Sequence, residues 1–284
     1  MNAERIDAHQ HFWRYGPDYA WIGDRMSVLR RDFVPDDLAP LLRGSGLSGS
    51  VAVQARQSMT ETQDLLAFAK QHAAVRGVVG WIDLCSIEAE RQLDSLSDEA
   101  ALVGIRHVVQ DEPDDRFLLR EDFQRGVDLL EARNLAYDIL IYPRQLPAAI
   151  EFVRRFPNHR LVLDHMAKPD IAGGALEPWA KQIRVLARAE NVFCKVSGLV
   201  TEANWSSWKP GDFSPYLEVV LEAFGPRRLM VGSDWPVCTL AASYGQVMGI
   251  AASFFAPLSS EEKSAVFGGN AAGFYRLPKP TCHP

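Results

Sequence analysis

Short apolar, β-branched runs recur along the whole chain, at residues 5–12, 49–55, 76–84, 103–110, 135–142, 160–165, 192–197 and 228–233. Runs of this length, punctuated by Gly, Pro and polar clusters, predict strands. The stretches between them carry helical period instead. Trp179, Ile183 and Leu186 stand at i, i+4 and i+7, and Leu65, Phe68 and Ala69 at i, i+3 and i+4. Strand and helix therefore alternate, which predicts βαβ units around a parallel sheet with the apolar helix faces packed on its outside. Eight such units can close into a (β/α)8 TIM barrel and so remove the edges of an open sheet. The predicted class is α/β, with one barrel domain over residues 1–284. A doubly wound open sheet would carry G-x-G-x-x-G after its first strand or a G-x-x-x-x-G-K-[ST] loop, and the sequence has neither.

Two connections exceed the few residues that a βα loop normally takes. One runs from Trp13 to about Pro35 and carries Arg14, Tyr15, Tyr19, Trp21 and Arg25; the other runs from Gly198 to Tyr216 and carries Trp205, Trp208 and Lys209. Both leave the C-terminal ends of predicted strands, the face on which barrel enzymes do chemistry, so specificity is expected there.

Composition narrows the partners. The 284 residues are 47% hydrophobic and 23% charged, ordinary globular usage, and the net charge is −6 with no run of Lys or Arg that would track phosphates. Nucleic acid and anionic membrane are therefore not expected partners, whereas a small neutral or weakly acidic ligand is. No apolar run approaches the roughly 18 residues of a membrane span. The opening MNAERIDAHQHFW lacks a cationic segment followed by an apolar one. Cys85, Cys194, Cys238 and Cys282 are far apart without a C-x-x-C pair, which reads as free thiols in a reducing compartment. The cytoplasm is the expected location, and oligomeric state is not legible.

Three strand ends carry chemistry. In Asp7-Ala8-His9-Gln10-His11 the two imidazoles are two residues apart, so on a strand they project to the same side. The run Leu161-Val162-Leu163-Asp164-His165 brings a third histidine to the same rim. In Leu229-Met230-Val231-Gly232-Ser233-Asp234 a carboxylate terminates the last strand, which lies beside the first once the barrel closes. His9, His11, His165 and Asp234 are thus expected to converge, with donors suited to one Zn²⁺ and an open position for water.

The motifs IDAHQHFW (6–13), GIRHVVQ (104–110), LDHMAKP (163–169), KVSGL (195–199), GSDWPV (232–237) and FGGNAAGFYRL (267–277) resemble those of the amidohydrolase superfamily, in particular its small sugar-lactone hydrolases. That resemblance implies a (β/α)8 barrel whose site opens an aldonolactone such as L-fuconolactone. Asp234 would activate the water, and His9, His11 and His165, or a bound Zn²⁺, would polarise the carbonyl. It implies at most one Zn²⁺, which this branch does not always require. The fifth strand offers Tyr137-Asp138-Ile139-Leu140 without a histidine, and no strand-end lysine stands out to bridge two metals. Gln54, Arg106, His107, Tyr142 and Lys168, at other strand ends, are the expected contacts for sugar hydroxyls, and Trp13 is expected to stack on the substrate ring. The alternatives are a metal-dependent decarboxylase of an aromatic or unsaturated acid, which would release carbon dioxide, and a carbohydrate-binding barrel without turnover.

Overall fold

The computed structural model describes residues 4–278. Eight strands, β1 (Ile6–Gln10), β2 (Gly49–Val53), β3 (Val75–Gly80), β4 (Leu102–His107), β5 (Ala136–Ile139), β6 (Leu161–Leu163), β7 (Val192–Val196) and β8 (Leu229–Val231), pair in parallel in chain order. Each is followed by a helix: α1 (Pro35–Gly44), α2 (Met59–Gln71), α3 (Ala89–Asp94), α4 (Glu121–Ala132), α5 (Leu146–Arg155), α6 (Trp179–Leu186), α7 (Ser214–Phe224) and α8 (Tyr244–Phe254). Local chemistry sets the helix starts. Pro35 with Asp36 and Asp37 opens α1, and the Ser58 and Ser243 side chains cap α2 and α8. As the periodicity predicts, Trp179, Ile183 and Leu186 are buried between α6 and the sheet.

The ring closes between β1 and the segment after β8. His9 O accepts from Asp234 N at 2.8 Å, and His11 N donates to Trp235 O at 2.6 Å. A buried carboxylate clamps this seam: Asp7 accepts from Ser233 N (2.8 Å), Ser233 Oγ (2.6 Å), Tyr244 OH (3.1 Å) and His9 N (3.2 Å). Gly232 lets the strands approach, because a Cβ there would lie 2.6 Å from His9 Cβ. The ladder between β1 and β2 shifts register between Asp7 and Gln10, a bulge where the first strand delivers His9.

Beyond α9 (Ser260–Ser264), α10 (Asn270–Phe274) brings Ala271, Phe274 and Tyr275 against Ile6, Val51, Val79, Val103, Ala136 and Val162, and so packs the end of the barrel away from the site. Among the described residues no helix is long and apolar enough to cross a membrane. Cys85, Cys194 and Cys238 are free thiols, as expected; Cys282 lies outside the described residues.

Two strand ends differ from the sequence expectation. The sixth strand stops at Leu163 and the eighth at Val231, so His165 and Asp234 sit in the turns that follow. His165, Met166, Ala167 and Lys168 all have positive φ, between 50° and 58°, as does Asp234 at 58°. A non-glycine residue pays about 1–2 kcal/mol for this left-handed region, so a run of four persists only under strong constraint. Met166 and Ala167 are fully buried, Met166 O accepts from Trp179 Nε1 at 2.7 Å, and Lys168 N donates to His165 O at 2.8 Å.

Candidate active site

The four expected residues converge. Around Asp234 Oδ1 stand His11 Nε2 at 3.3 Å, His9 Nε2 at 3.9 Å and His165 Nε2 at 4.0 Å, while His9 and His11 Nε2 are 3.2 Å apart. The outer nitrogens are anchored. His11 Nδ1 donates to Val53 O at 2.7 Å, which leaves Nε2 facing the cavity, and His165 Nδ1 meets Ser197 Oγ at 2.9 Å. Gly198, at φ +65°, passes beneath the His165 ring, where a Cβ would come within 2.6 Å of Nδ1. Burial lowers His165 to about 4, although Asp234 and Asp164 pull the other way, so its ring is neutral near pH 7. Burial alone would raise Asp234, but His165, His11 and His9 outweigh it and hold the carboxyl below the usual carboxylate range.

Beneath the rim lies a layer of charges that the sequence reading did not assemble. Lys195 on β7 is fully buried, with Nζ 2.5 Å from Asp138 Oδ2, 3.1 Å from Asp164 Oδ1 and 3.2 Å from His9 Nδ1. It hydrogen-bonds to Asp138 and His9 and pairs in charge with Asp164. Arg106 Nη1 reaches Asp164 Oδ2 at 3.0 Å, and Tyr275 OH donates to Asp138. A lysine therefore points into the barrel from within β7, where two carboxylates hold it below the rim. Burial and Lys195 lower His9 well below the ordinary histidine range. Lys195 is nearer to His9 Nδ1 than is Asp164 Oδ1, at 3.5 Å, so a neutral His9 keeps its proton on Nε2, directed at His11 Nε2 3.2 Å away.

A cavity of ≈ 640 Å³ opens over this floor. Of the expected substrate contacts, Arg106, Tyr142 and Lys168 line it. Three others do not. Trp13 is buried against Phe33, Tyr19 and Trp21, with Nε1 donating to Arg31 O at 3.0 Å. Gln54 is fully buried and donates to Arg106 O at 3.2 Å. His107 stacks on Phe117, and its Nε2 is 2.7 Å from Glu112 Oε1. These side chains support the wall instead of facing the ligand space. The two long loops do reach it, through Trp21 and Met26 from the first and Thr201, Glu202 and Trp205 from the second.

Three of the four donors, His9, His11 and Asp234, lie close enough together to hold one divalent cation. Two ligands about 2.1 Å from a tetrahedral zinc lie roughly 3.4 Å apart, close to the His9–His11 and His11–Asp234 separations of 3.2 and 3.3 Å. His9 can ligate through Nε2 once its proton moves to Nδ1, toward Asp164. His9, Asp164 and His165 form a second close group, but Asp164 is committed to Lys195 and Arg106.

The amidohydrolase family pattern matches residues 6–277. The chain belongs to that family. This amidohydrolase is 47% identical to L-fucono-1,5-lactonase of Burkholderia multivorans, over 99% of this chain and 98% of that protein. It is 40% identical to L-fucono-1,5-lactonase of Burkholderia ambifaria, over 98% and 97%. A crystal structure of a Burkholderia multivorans amidohydrolase with bound zinc superimposes with a TM-score of 0.94 at 46% identity, covering 97% of this chain and all of that one.

Proposed function

We propose that this amidohydrolase hydrolyses a sugar lactone of the L-fucono-1,5-lactone type to the open hydroxy acid. The observation that carries the reading is Asp234, an ionised carboxylate ringed by three imidazoles on the floor of an open cavity. Similarity to two sugar lactonases over nearly the full chain supports the substrate class.

Lactone opening needs an activated water, charge stabilisation on the carbonyl oxygen and a proton for the departing ring oxygen. Asp234 accepts the proton of the attacking water as the new C–O bond forms. His165, which lines the cavity with its Nε2 4.0 Å from Asp234 Oδ1, donates to the developing oxyanion, and the Arg106 guanidinium on the same cavity wall adds positive potential. As the ester C–O bond breaks, protonated Asp234 returns its proton to the ring oxygen. When zinc is bound, His9, His11 and Asp234 would hold it beside His165, and it would supply Lewis-acid polarisation of the carbonyl.

A pH-indicator screen of purified protein against stereochemically diverse aldonolactones, with and without chelator, tests the reading. We expect acid release well above the buffer rate for at least one six-membered lactone. Failure to open any lactone faster than buffer, or release of carbon dioxide from an aromatic acid instead, would sink it.

A further inference from the structure

Lys168 and Glu202 face each other across the cavity wall without forming a tight pair. Nζ and Oε1 are 3.6 Å apart, beyond hydrogen-bond length, and no other side chain among the described residues hydrogen-bonds to either group. Both line the cavity that holds His165 and Asp234. An ammonium with three donors and a carboxylate with several free lone pairs are therefore left open toward the ligand space.

The arrangement is built, and the two groups are not needed to hold it. The loops after β6 and β7 are already tied by Ala172 N donating to Glu202 O at 3.0 Å and by Tyr216 OH donating to Asp170 O at 3.0 Å. The left-handed run 165–168 places His165 and Lys168 on the cavity side, three residues apart, with Met166 and Ala167 in the core. Backbone strain of this kind persists where it aims a functional group. The Tyr142 ring, 5.3 Å from the ammonium and 5.1 Å from the Arg144 guanidinium, holds Lys168 by its π face on the same wall.

We propose that Lys168 and Glu202 form the hydroxyl-recognition subsite of this enzyme, a specificity-determining pair that rests on the lactonase reading above. Glu202 accepts from one ring hydroxyl and Lys168, steadied over the Tyr142 ring, donates to a neighbouring one. A site made to hydrogen-bond hydroxyls rejects an analogue that lacks them, because its own polar groups are then left unpaired. The pair thus separates aldonolactones from plain lactones, while Asp234 and the histidines serve the ester common to both.

The test compares kcat/KM of the parent, Glu202→Gln and Lys168→Met on the best aldono-1,5-lactone and on δ-valerolactone, which has the ester and no hydroxyls. Cooperative thermal unfolding of each variant checks that the fold is intact. We expect the aldonolactone to δ-valerolactone preference to fall about tenfold or more in each variant, mainly through KM on the aldonolactone. An equal fall on both substrates, or an unchanged preference, overturns the subsite. Failure of the parent to open either lactone would instead remove the lactonase reading, and this proposal with it.

Discussion

Replacing Lys195 by Met removes the one ammonium buried inside the barrel among the described residues and leaves Asp138 and Asp164 facing each other's charge. All three side chains are fully buried, and Lys195 lies 2.5 and 3.1 Å from the two carboxylates. Removing one partner of a buried ion pair typically costs about 3–5 kcal/mol, because the remaining charge is neither solvated nor matched. Arg106 still compensates Asp164, so the uncompensated charge falls mainly on Asp138, whose other hydrogen-bond partner is the Tyr275 hydroxyl. The loss should therefore lie within that range and not exceed it. Urea unfolding at pH 8 reads it as a lower midpoint at unchanged m. The double variant Lys195→Met/Asp138→Asn should recover more than about 1 kcal/mol, as coupled neighbours do. A single variant that loses less than about 1 kcal/mol, or a double variant that is no better than the single, would refute the reasoning.

Asp234→Asn should lower kcat by about 10² to 10⁴ with little change in unfolding midpoint, since the amide keeps the shape but cannot take a proton from water; a background-corrected kcat within a few-fold of the parent would exclude Asp234 as the base. Gly198→Ala should cost about 1–2 kcal/mol from the left-handed backbone and at least tenfold in kcat, because its Cβ would push into the His165 ring; unchanged values of both would show that His165 need not be held there. Burial pushes Glu61 up to about 7 against hydrogen bonds from the Arg56 backbone and Tyr19 that lower it. Its folded pKa lies above the unfolded value of 4.5, so the folded state holds that proton more tightly and stability is lost as pH rises from about 4.5 through 7. Glu61→Gln should remove roughly 3 kcal/mol of that slope from the difference between parent and variant urea curves; parallel curves over this window would contradict it.

The barrel and the rim were legible because their signals are local. Eight apolar runs give eight strands, and a histidine or carboxylate at the end of such a run lands at the C-terminal mouth whatever the loops do. The charge layer was not legible. Lys195 sits in an apolar strand, and its partner Asp138 is 57 residues away, so neither residue alone carries the sign of a pair. Trp13 follows the His-x-His motif directly and for that reason reads as a stacking residue. The first long loop folds back instead, pairing Phe33 with Trp13 and closing an aromatic cluster over the ring. Glu202 lies in a loop with no periodicity, and only the left-handed turn that brings Lys168 opposite to it gives it meaning.

Charge balance inside the barrel singles out the carboxylate that the proposed reaction uses as its base. Lys195 and Arg106 bring two positive charges, and Asp138, Asp164 and Asp234 three negative ones, while burial keeps His9 and His165 neutral. Two against three leaves one negative charge, and since the other carboxylates face the two cations below the rim, it resides on Asp234. That charge can be met by a proton from water or by a cation. The two uses compete, because an oxygen that binds zinc gives up the lone-pair density with which it would accept a proton. An ester carbonyl in a lactone ring is electrophilic enough for attack by a base-activated water with hydrogen-bond help from His165, whereas a resonance-stabilised amide demands stronger polarisation. A site whose surplus charge is a single carboxylate, flanked by neutral imidazoles and backed by paired ions, is therefore matched to an activated ester.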